Sequence, residues 1–92
     1  AHVSVVRASV GDAIETFLEI LPSSGPKTFR ELTDGLEERL EIVVHFLAVL
    51  ELFKQGMVEL EQFTNFGDLT VLWVGDEDDR ELAVSGADVY EG

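Results

Sequence analysis

The stretch from Ile42 to Gln62, IVVHFLAVLELFKQGMVELEQ, decides how this chain folds. Its first part has apolar residues at helical spacing. At 100° per residue one side gathers the larger ones, and we assign it to the core: Val43, Phe46, Leu47, Leu50 and Phe53. Gly56 suits the left-handed position that follows many helices, and after it the apolar period falls to two, which is typical of a strand. A long helix running directly into a strand is therefore the centre of the predicted fold.

The opposite side of this helix is apolar as well. Val44, Ala48 and Leu52 recur at i, i+4 and i+8, and His45 and Val49 flank them. A helix that is apolar nearly all round is usually buried on all sides, and 92 residues supply few elements to cover both faces. We therefore expect a partner to cover this second stripe. The pattern leaves one alternative open, in which the chain's own first or last segment packs there.

Composition and charge limit the class of protein. The chain is long enough for one domain, and with 46% hydrophobic and 27% charged residues it is typical of a globular rather than a disordered protein. Nineteen acidic residues against six basic ones leave a formal charge of -13. Because DNA binding depends on Lys and Arg neutralising phosphates, we expect no direct nucleic-acid binding. The same charge disfavours an anionic membrane surface and favours a basic or apolar protein partner.

Three absences from the sequence bear on location. There is no cysteine, which excludes disulfides and thiolate metal ligands and is compatible with a reducing cytoplasm. The longest uninterrupted apolar run, Phe46 to Leu50, is far shorter than the ~20 residues that cross a bilayer. The N-terminus also lacks a basic segment followed by an apolar one. We expect a cytoplasmic protein with no membrane partner.

Three sequences with capping-box spacing predict three helix starts, at Ser9–Asp12, Thr28–Glu31 and Asp34–Glu37. The first helix should end before Pro22, the second should last about one turn, and the third should run from its N-cap at Asp34 to Gln55. The apolar residues of the first helix share one face: Val10, Ala13, Ile14, Phe17, Leu18 and Leu21.

After the third helix the alternation predicts a hairpin, with strands over Met57–Gln62 and Leu69–Val74. In the second strand we assign Leu69, Val71 and Trp73 to the core face. Three helices followed by a two-stranded hairpin is the element order of a winged-helix domain, so the predicted fold class is α+β.

This element order divides the chain into three parts. Residues 1–8 are a linker or short strand, 9–75 form the winged-helix domain, and 76–92 are an acidic, flexible tail.

At this point the residues also resemble a known family. The FLA-x-LEL element from Phe46 to Leu52, the Leu60–Gln62 segment and the Phe66–Leu69 segment occur together at characteristic separations. In these elements the chain closely resembles the C-terminal domain of segregation and condensation protein A. This is the bacterial kleisin subunit of the SMC (structural maintenance of chromosomes) condensin complex. The resemblance covers roughly Ser9 to Val74.

The resemblance implies an adaptor without enzymatic activity. Such a module docks on an SMC ATPase head, while other regions of a kleisin, which lie outside this sequence, hold the second SMC subunit and recruit segregation and condensation protein B. The ring that results encloses DNA, and the expected location is the cytoplasm at the nucleoid. In kleisins, apolar residues of the third helix help to form the SMC-head interface. We place the contact on the second stripe and the wing tip: Val44, His45, Ala48, Val49, Leu52 and Phe63.

Other functions have less support in the sequence. The motifs GxxxxGK[ST], GxGxxG, HExxH and GxSxG do not occur, so we expect no catalytic site, no cofactor and no metal. A hydrolase using His45 with Glu41 is the weakest alternative. The main alternative is a DNA-binding winged helix of a transcription regulator, whose third helix would enter the major groove with only Arg39 and Lys54 as basic residues.

Overall fold

Six elements make up the fold in the computed structural model, which describes residues 9–62 and 67–75. They follow in the order α1 (Val10–Ser24), β1 (Lys27–Thr28), α2 (Phe29–Leu32), α3 (Arg39–Lys54), β2 (Val58–Glu61) and β3 (Thr70–Trp73). This is the predicted α+β winged helix, with β1 as an addition. The predictions made for residues 1–8, for the tail after Gly75 and for the wing tip with Phe63 lie outside the described residues.

The sheet is antiparallel, with strand order β1-β3-β2. Val58 pairs with Trp73 across the predicted hairpin, and Thr28 pairs with Thr70 on the other side of β3. A further hydrogen bond, from the backbone N–H of Phe29 to the Leu69 carbonyl at 2.7 Å, continues this pairing. Sequence reasoning missed β1 because two residues are too few for a period of two to be visible.

The helix α1 begins as predicted and ends later. Asp12 donates its backbone N–H to the Ser9 side chain at 3.0 Å, which caps the start. The predicted apolar face is confirmed, since Ala13, Ile14, Phe17, Leu18 and Leu21 are buried and Val10 packs against them. The predicted end before Pro22 is wrong, because the helix continues to Ser24. The fixed φ of proline is itself helical, so Pro22 near the helix end removes one donor without stopping the last turn.

The short helix α2 is confirmed with its capping box. The Thr28 hydroxyl accepts the backbone N–H of Glu31 at 3.1 Å, and the Glu31 carboxylate accepts the backbone N–H of Thr28 at 2.9 Å. The hydrogen bond from the Thr28 backbone, followed by that from its hydroxyl, lowers the pKa of Glu31 below its ordinary value. Thr28 thus ends β1 and starts α2.

The start of α3 was predicted wrongly. The helix begins at Arg39, with Glu38 at the N-cap, and not after Asp34. The intervening residues form turns, in which the backbone N–H of Leu36 donates to the Thr33 carbonyl at 3.0 Å. Gly35 has φ 88°, a left-handed conformation that no helical residue adopts. The predicted end is confirmed, since Gln55 is the C-cap and Gly56 follows with φ 79°.

The core lies between α1, the inner side of α3 and the sheet. On α3 it takes four residues, Val44, Ala48, Val49 and Leu52, which pack with the α1 face and with Met57, Val58 and Val71. The predicted core face of α3 is therefore reversed. The physical reason is size: α1 already presents Phe17, Leu18 and Leu21, and large side chains pack best against a facing helix with small ones such as Ala48. In β3, Val71 is buried as predicted, and Trp73 is only partly buried.

Candidate protein-interaction face

One side of α3 is a continuous row of exposed apolar residues, which we call the outer face. Its members and their exposed fractions are Leu40 (55%), Val43 (44%), Phe46 (40%), Leu47 (45%), Leu50 (38%) and Phe53 (51%). At 100° per residue they fall within an arc of roughly 140°. Soluble monomers rarely expose contiguous apolar patches of this kind, and such patches mark interaction sites.

The inner side of α3 fixes which residues point outward. Ala48, Val49 and Leu52 are completely buried against α1 and the sheet, so the helix cannot rotate about its axis without exposing the core. The C-terminal end is held as well, because the backbone N–H of Met57 donates to the Leu52 carbonyl at 2.9 Å. The outer face is therefore a fixed feature of the folded domain, presented on a rigid element.

The helix α2 borders the outer face near its middle. The rings of Phe46 and Phe29 meet edge to face, with centroids 5.7 Å apart and planes at 84°. Phe29 is half-buried and packs against the core, so it ties Phe46 to the domain while leaving 40% of Phe46 exposed. This aromatic contact forms one border of the outer face in the domain by itself.

The charged residues on the same arc are both basic. On the helical wheel Arg39 and Lys54 fall among the outer-face residues, near the two ends of α3. The two acidic residues of α3, Glu41 and Glu51, fall outside the arc and are half-buried. Lys54 Nζ lies 4.0 Å from Glu51 Oε1, with 78% of the Lys54 side chain exposed, and Gln55 Nε2 donates to Glu51 Oε2 at 2.6 Å.

Comparison with known proteins settles the family. The sequence profile described as "Segregation and condensation protein ScpA" matches residues 3–74. The chain belongs to this family. Relatives named Segregation and condensation protein A include one from Clostridium perfringens (strain 13 / Type A), 33% identical over 67 residues, which are 73% of this chain and 27% of the relative. Another, from Caldanaerobacter subterraneus subsp. tengcongensis, is 35% identical over 69 residues, 75% of this chain and 28% of the relative.

A third relative, from Halothermothrix orenii, is 35% identical over 65 residues, which are 67% of this chain and 26% of that protein. The chain thus spans about a quarter of the length of the curated ScpA relatives it matches. The family resemblance inferred from the FLA-x-LEL element is confirmed by these matches.

In this ScpA-family chain the structure relocates the candidate contacts. The predicted exposure of Val44, Ala48, Val49 and Leu52 is wrong, because all four are core residues with no surface to offer a partner. The outer face takes their place. Five of its six residues are those that the sequence analysis assigns to the core, and the sixth, Leu40, is in neither predicted set. The signal that could have separated the two sides is residue size, since the inner side carries the alanine and two valines that face the large residues of α1.

The remaining predicted contacts are His45 and Phe63. His45 is half-buried between the helices, where its Nδ1 lies 2.7 Å from the Glu41 carbonyl oxygen and its ring meets the edge of Phe17. This imidazole joins α3 to α1 and is not part of the outer face. Phe63 lies outside the described residues.

The described part of the chain offers little for catalysis. Among residues 9–62 and 67–75 no group of three or more His, Cys, Asp or Glu residues is placed to hold a metal ion, and the buried side chains there are all apolar. None of the helices in these ranges is long and apolar enough to cross a bilayer. A shallow cleft of about 130 Å³ between the end of α1 and β3 is lined by Leu21, Pro22, Gly25, Pro26, Leu72 and Trp73.

Proposed function

We propose that this chain is the C-terminal winged-helix module of a bacterial kleisin and that it docks on an SMC ATPase head through the outer face of α3. In this role it is a non-enzymatic adaptor that helps to close the condensin ring for chromosome condensation and segregation, in the cytoplasm at the nucleoid. Membership of the ScpA family supports the role in chromosome segregation and condensation. Segregation and condensation protein B would join the complex through other regions of the parent protein.

The observation that carries the proposal is the exposure of the six outer-face residues. A Leu side chain removed fully from water contributes about 1.5 to 3 kcal/mol, so side chains that are about half exposed contribute about 1 kcal/mol each when a partner covers them. Summed over the six residues, the free energy gained by burying this face is comparable to the free-energy cost of the translational and rotational freedom lost on association. A partner with an apolar groove is therefore the occupant for which this face is suited.

The same face argues against the DNA-binding alternative. In DNA-binding winged helices the third helix enters the major groove and reads base edges with polar and basic side chains. Here the accessible side of α3 carries six apolar residues and only two bases, Arg39 and Lys54. Against phosphates the apolar residues would gain no apolar partner, and two bases would release few counterions. An electrophoretic shift of duplex DNA by this chain at about 0.15 M salt would overturn our assignment.

The test is a calorimetric titration against the purified SMC head of the same organism. We expect Leu47→Asp to weaken binding more than a hundredfold, because apolar burial is lost and a carboxylate is forced into an apolar contact, together about 3 kcal/mol or more. The matched control is Ile20→Asp, an exposed apolar residue of α1 with 39% exposure, which should change affinity less than threefold. Equal binding of Leu47→Asp and wild type, with intact melting curves, would remove the outer face as the docking surface.

A further inference from the structure

The charge of the outer face is opposite to the charge of the chain. The described residues contain four basic side chains, Lys27, Arg30, Arg39 and Lys54, and two of them lie on this one arc of α3. Nineteen acidic residues against six basic ones give the chain its charge of -13, yet neither acid of α3, Glu41 or Glu51, falls within the arc. The formal charge of the chain therefore does not describe the surface that a partner would meet here.

The two basic residues on the arc, Arg39 and Lys54, differ from Arg30 in their ion pairing. Arg30 Nη2 lies 3.1 Å from Asp68 Oδ1, and this ion pair ties α2 to the base of the wing. Within residues 9–62 and 67–75, Lys54 makes one long contact, 4.0 Å to Glu51, and its side chain is 78% exposed. Arg39 is exposed at the start of α3. A contact of this length, with the Lys54 ammonium mostly in water, contributes little and leaves the charge available to a second carboxylate.

We infer that the surface receiving α3 is an apolar groove with a carboxylate near each end, one facing Arg39 and the other facing Lys54. This inference rests on the proposed docking through the outer face and adds the chemistry of the partner's groove. At 1.5 Å per residue the two bases are about 22 Å apart along the helix axis, which sets the spacing of the two carboxylates. The apolar residues between them define the length of the groove.

The acidic residues of α1 do not cancel this local preference. The exposed acids of α1 are Asp12, Glu15 and Glu19. Because α1 packs on the inner side of α3, they lie on the far side of the domain from the outer face. At physiological salt the screening length is about 8 Å, so charges on the far side of the domain act weakly on a contact made here.

A second copy of this chain is a poor occupant. In a two-fold dimer built on the outer face with antiparallel α3 helices, Arg39 of one copy would approach Lys54 of the other, so like charges would meet at both ends. The face offers no carboxylate on its own arc to relieve this. Two copies that each carry -13 would also repel one another as they approach.

The experiment measures association rates of the full chain with the SMC head at low and high salt. We expect Arg39→Glu and Lys54→Glu each to slow association at least threefold at about 0.05 M salt, and the difference from wild type to shrink as salt rises. The control is Lys27→Glu in β1, which makes the same change in net charge off the arc and should have a smaller effect. Arg39→Glu and Lys54→Glu rates equal to that of Lys27→Glu would overturn the inference.

The same experiment separates this inference from the proposed function. If wild type binds, Leu47→Asp does not, and the two α3 charge variants bind like the control, docking stands and the carboxylate-bordered groove is rejected. Failure of wild type to bind the head rejects both. One further variant replaces Asp76, Glu77, Asp78 and Asp79 by their amides. A gain in affinity that is more than tenfold in the wild-type background and absent in the Arg39→Glu background would show that the chain's own acidic segment occupies the face, and would overturn our choice of occupant.

Discussion

Phe17 of α1 meets His45 of α3 edge-on, with ring centroids 5.4 Å apart and ring planes at 68°. One turn earlier on α3, the Glu41 carbonyl oxygen lies 2.7 Å from His45 Nδ1, which holds the imidazole in the seam between the two helices. Phe17 is 1% exposed and His45 is half-buried, so this contact lies at the edge of the core. It fixes which side of α3 faces inward and which side remains for a partner.

Substitutions on the two sides of α3 should have opposite consequences. Leu52 is completely buried, so Leu52→Ala should destabilise the domain by about 2 to 5 kcal/mol and Leu52→Asp should unfold it. Leu47→Asp, at a residue that is 45% exposed, should melt close to wild type. Thermal melts followed by circular dichroism measure both. Unfolding by Leu47→Asp together with tolerance of Leu52→Asp would restore the face assignment made from the sequence.

The two sides of α3 could not be distinguished by periodicity. Val43, Phe46 and Leu50 repeat at helical spacing, and so do Val44, Ala48 and Leu52, because the helix is apolar nearly all round. The decision depends on what α1 presents to α3, which is a tertiary fact. Large residues on α1 favour small ones opposite, and the one alanine of α3, Ala48, lies on the inner side.

Features set by residues close in sequence, such as helix caps, are predicted more successfully than pairings between distant segments. Thr28 with Glu31, Ser9 with Asp12, and Gly56 after Gln55 each make a contact or adopt a conformation within a few residues, so the sequence contains the whole signal. The predicted helix start at Asp34 is wrong although the spacing of Asp34 and Glu37 matches a capping box. Gly35 between them is in a left-handed conformation, which does not permit a helix. The pairing of β1 with β3 spans more than forty residues and leaves no local pattern.

Replacing His45 should separate its ring contact from its hydrogen bond. His45→Phe keeps an aromatic ring against Phe17 and removes the contact of Nδ1 with the Glu41 carbonyl, whereas His45→Ala removes both. We expect His45→Ala to be less stable than His45→Phe by about 0.5 to 1.5 kcal/mol, the contribution of an aromatic pair. Denaturant titrations give the two free energies of unfolding. Equal stability would mean that the ring contact contributes nothing.

The turn between α3 and β2 should depend on glycine. Gly56 has φ 79°, and a Cβ added there would meet no atom within 4 Å, so the cost of substitution is conformational and not steric crowding. Gly56→Ala should destabilise the domain by about 1 to 2 kcal/mol. Gly56→Asn is the matched control, because asparagine tolerates the left-handed region, and it should lose less. A loss as large for Asn as for Ala would show that contacts other than φ decide this position.

The capping box of α2 should give the domain a pH-dependent contribution to stability. The backbone N–H and hydroxyl of Thr28 stabilise the Glu31 carboxylate and lower its pKa from the ordinary 4.5. For a carboxyl group whose pKa is lower in the folded state, the stabilisation is complete above the unfolded value and is lost as pH falls through the folded one. Melting temperatures of wild type and Glu31→Gln should therefore differ most at neutral pH, and the difference should narrow below pH 4.5.

Two controls isolate this effect. Glu15→Gln, at an exposed position of α1, removes one negative charge away from α2 and reports the change caused by net charge alone. Thr28→Ala removes the hydroxyl that caps α2 and should cost about 1 kcal/mol, while leaving the backbone N–H that donates to Glu31 at 2.9 Å. Since that backbone bond is the larger cause of the lowered pKa, Thr28→Ala should retain most of the pH dependence. A gap between wild type and Glu31→Gln that is the same at neutral pH and at about pH 3, after correction by Glu15→Gln, would show that the carboxylate contributes no charge-assisted bond to the cap.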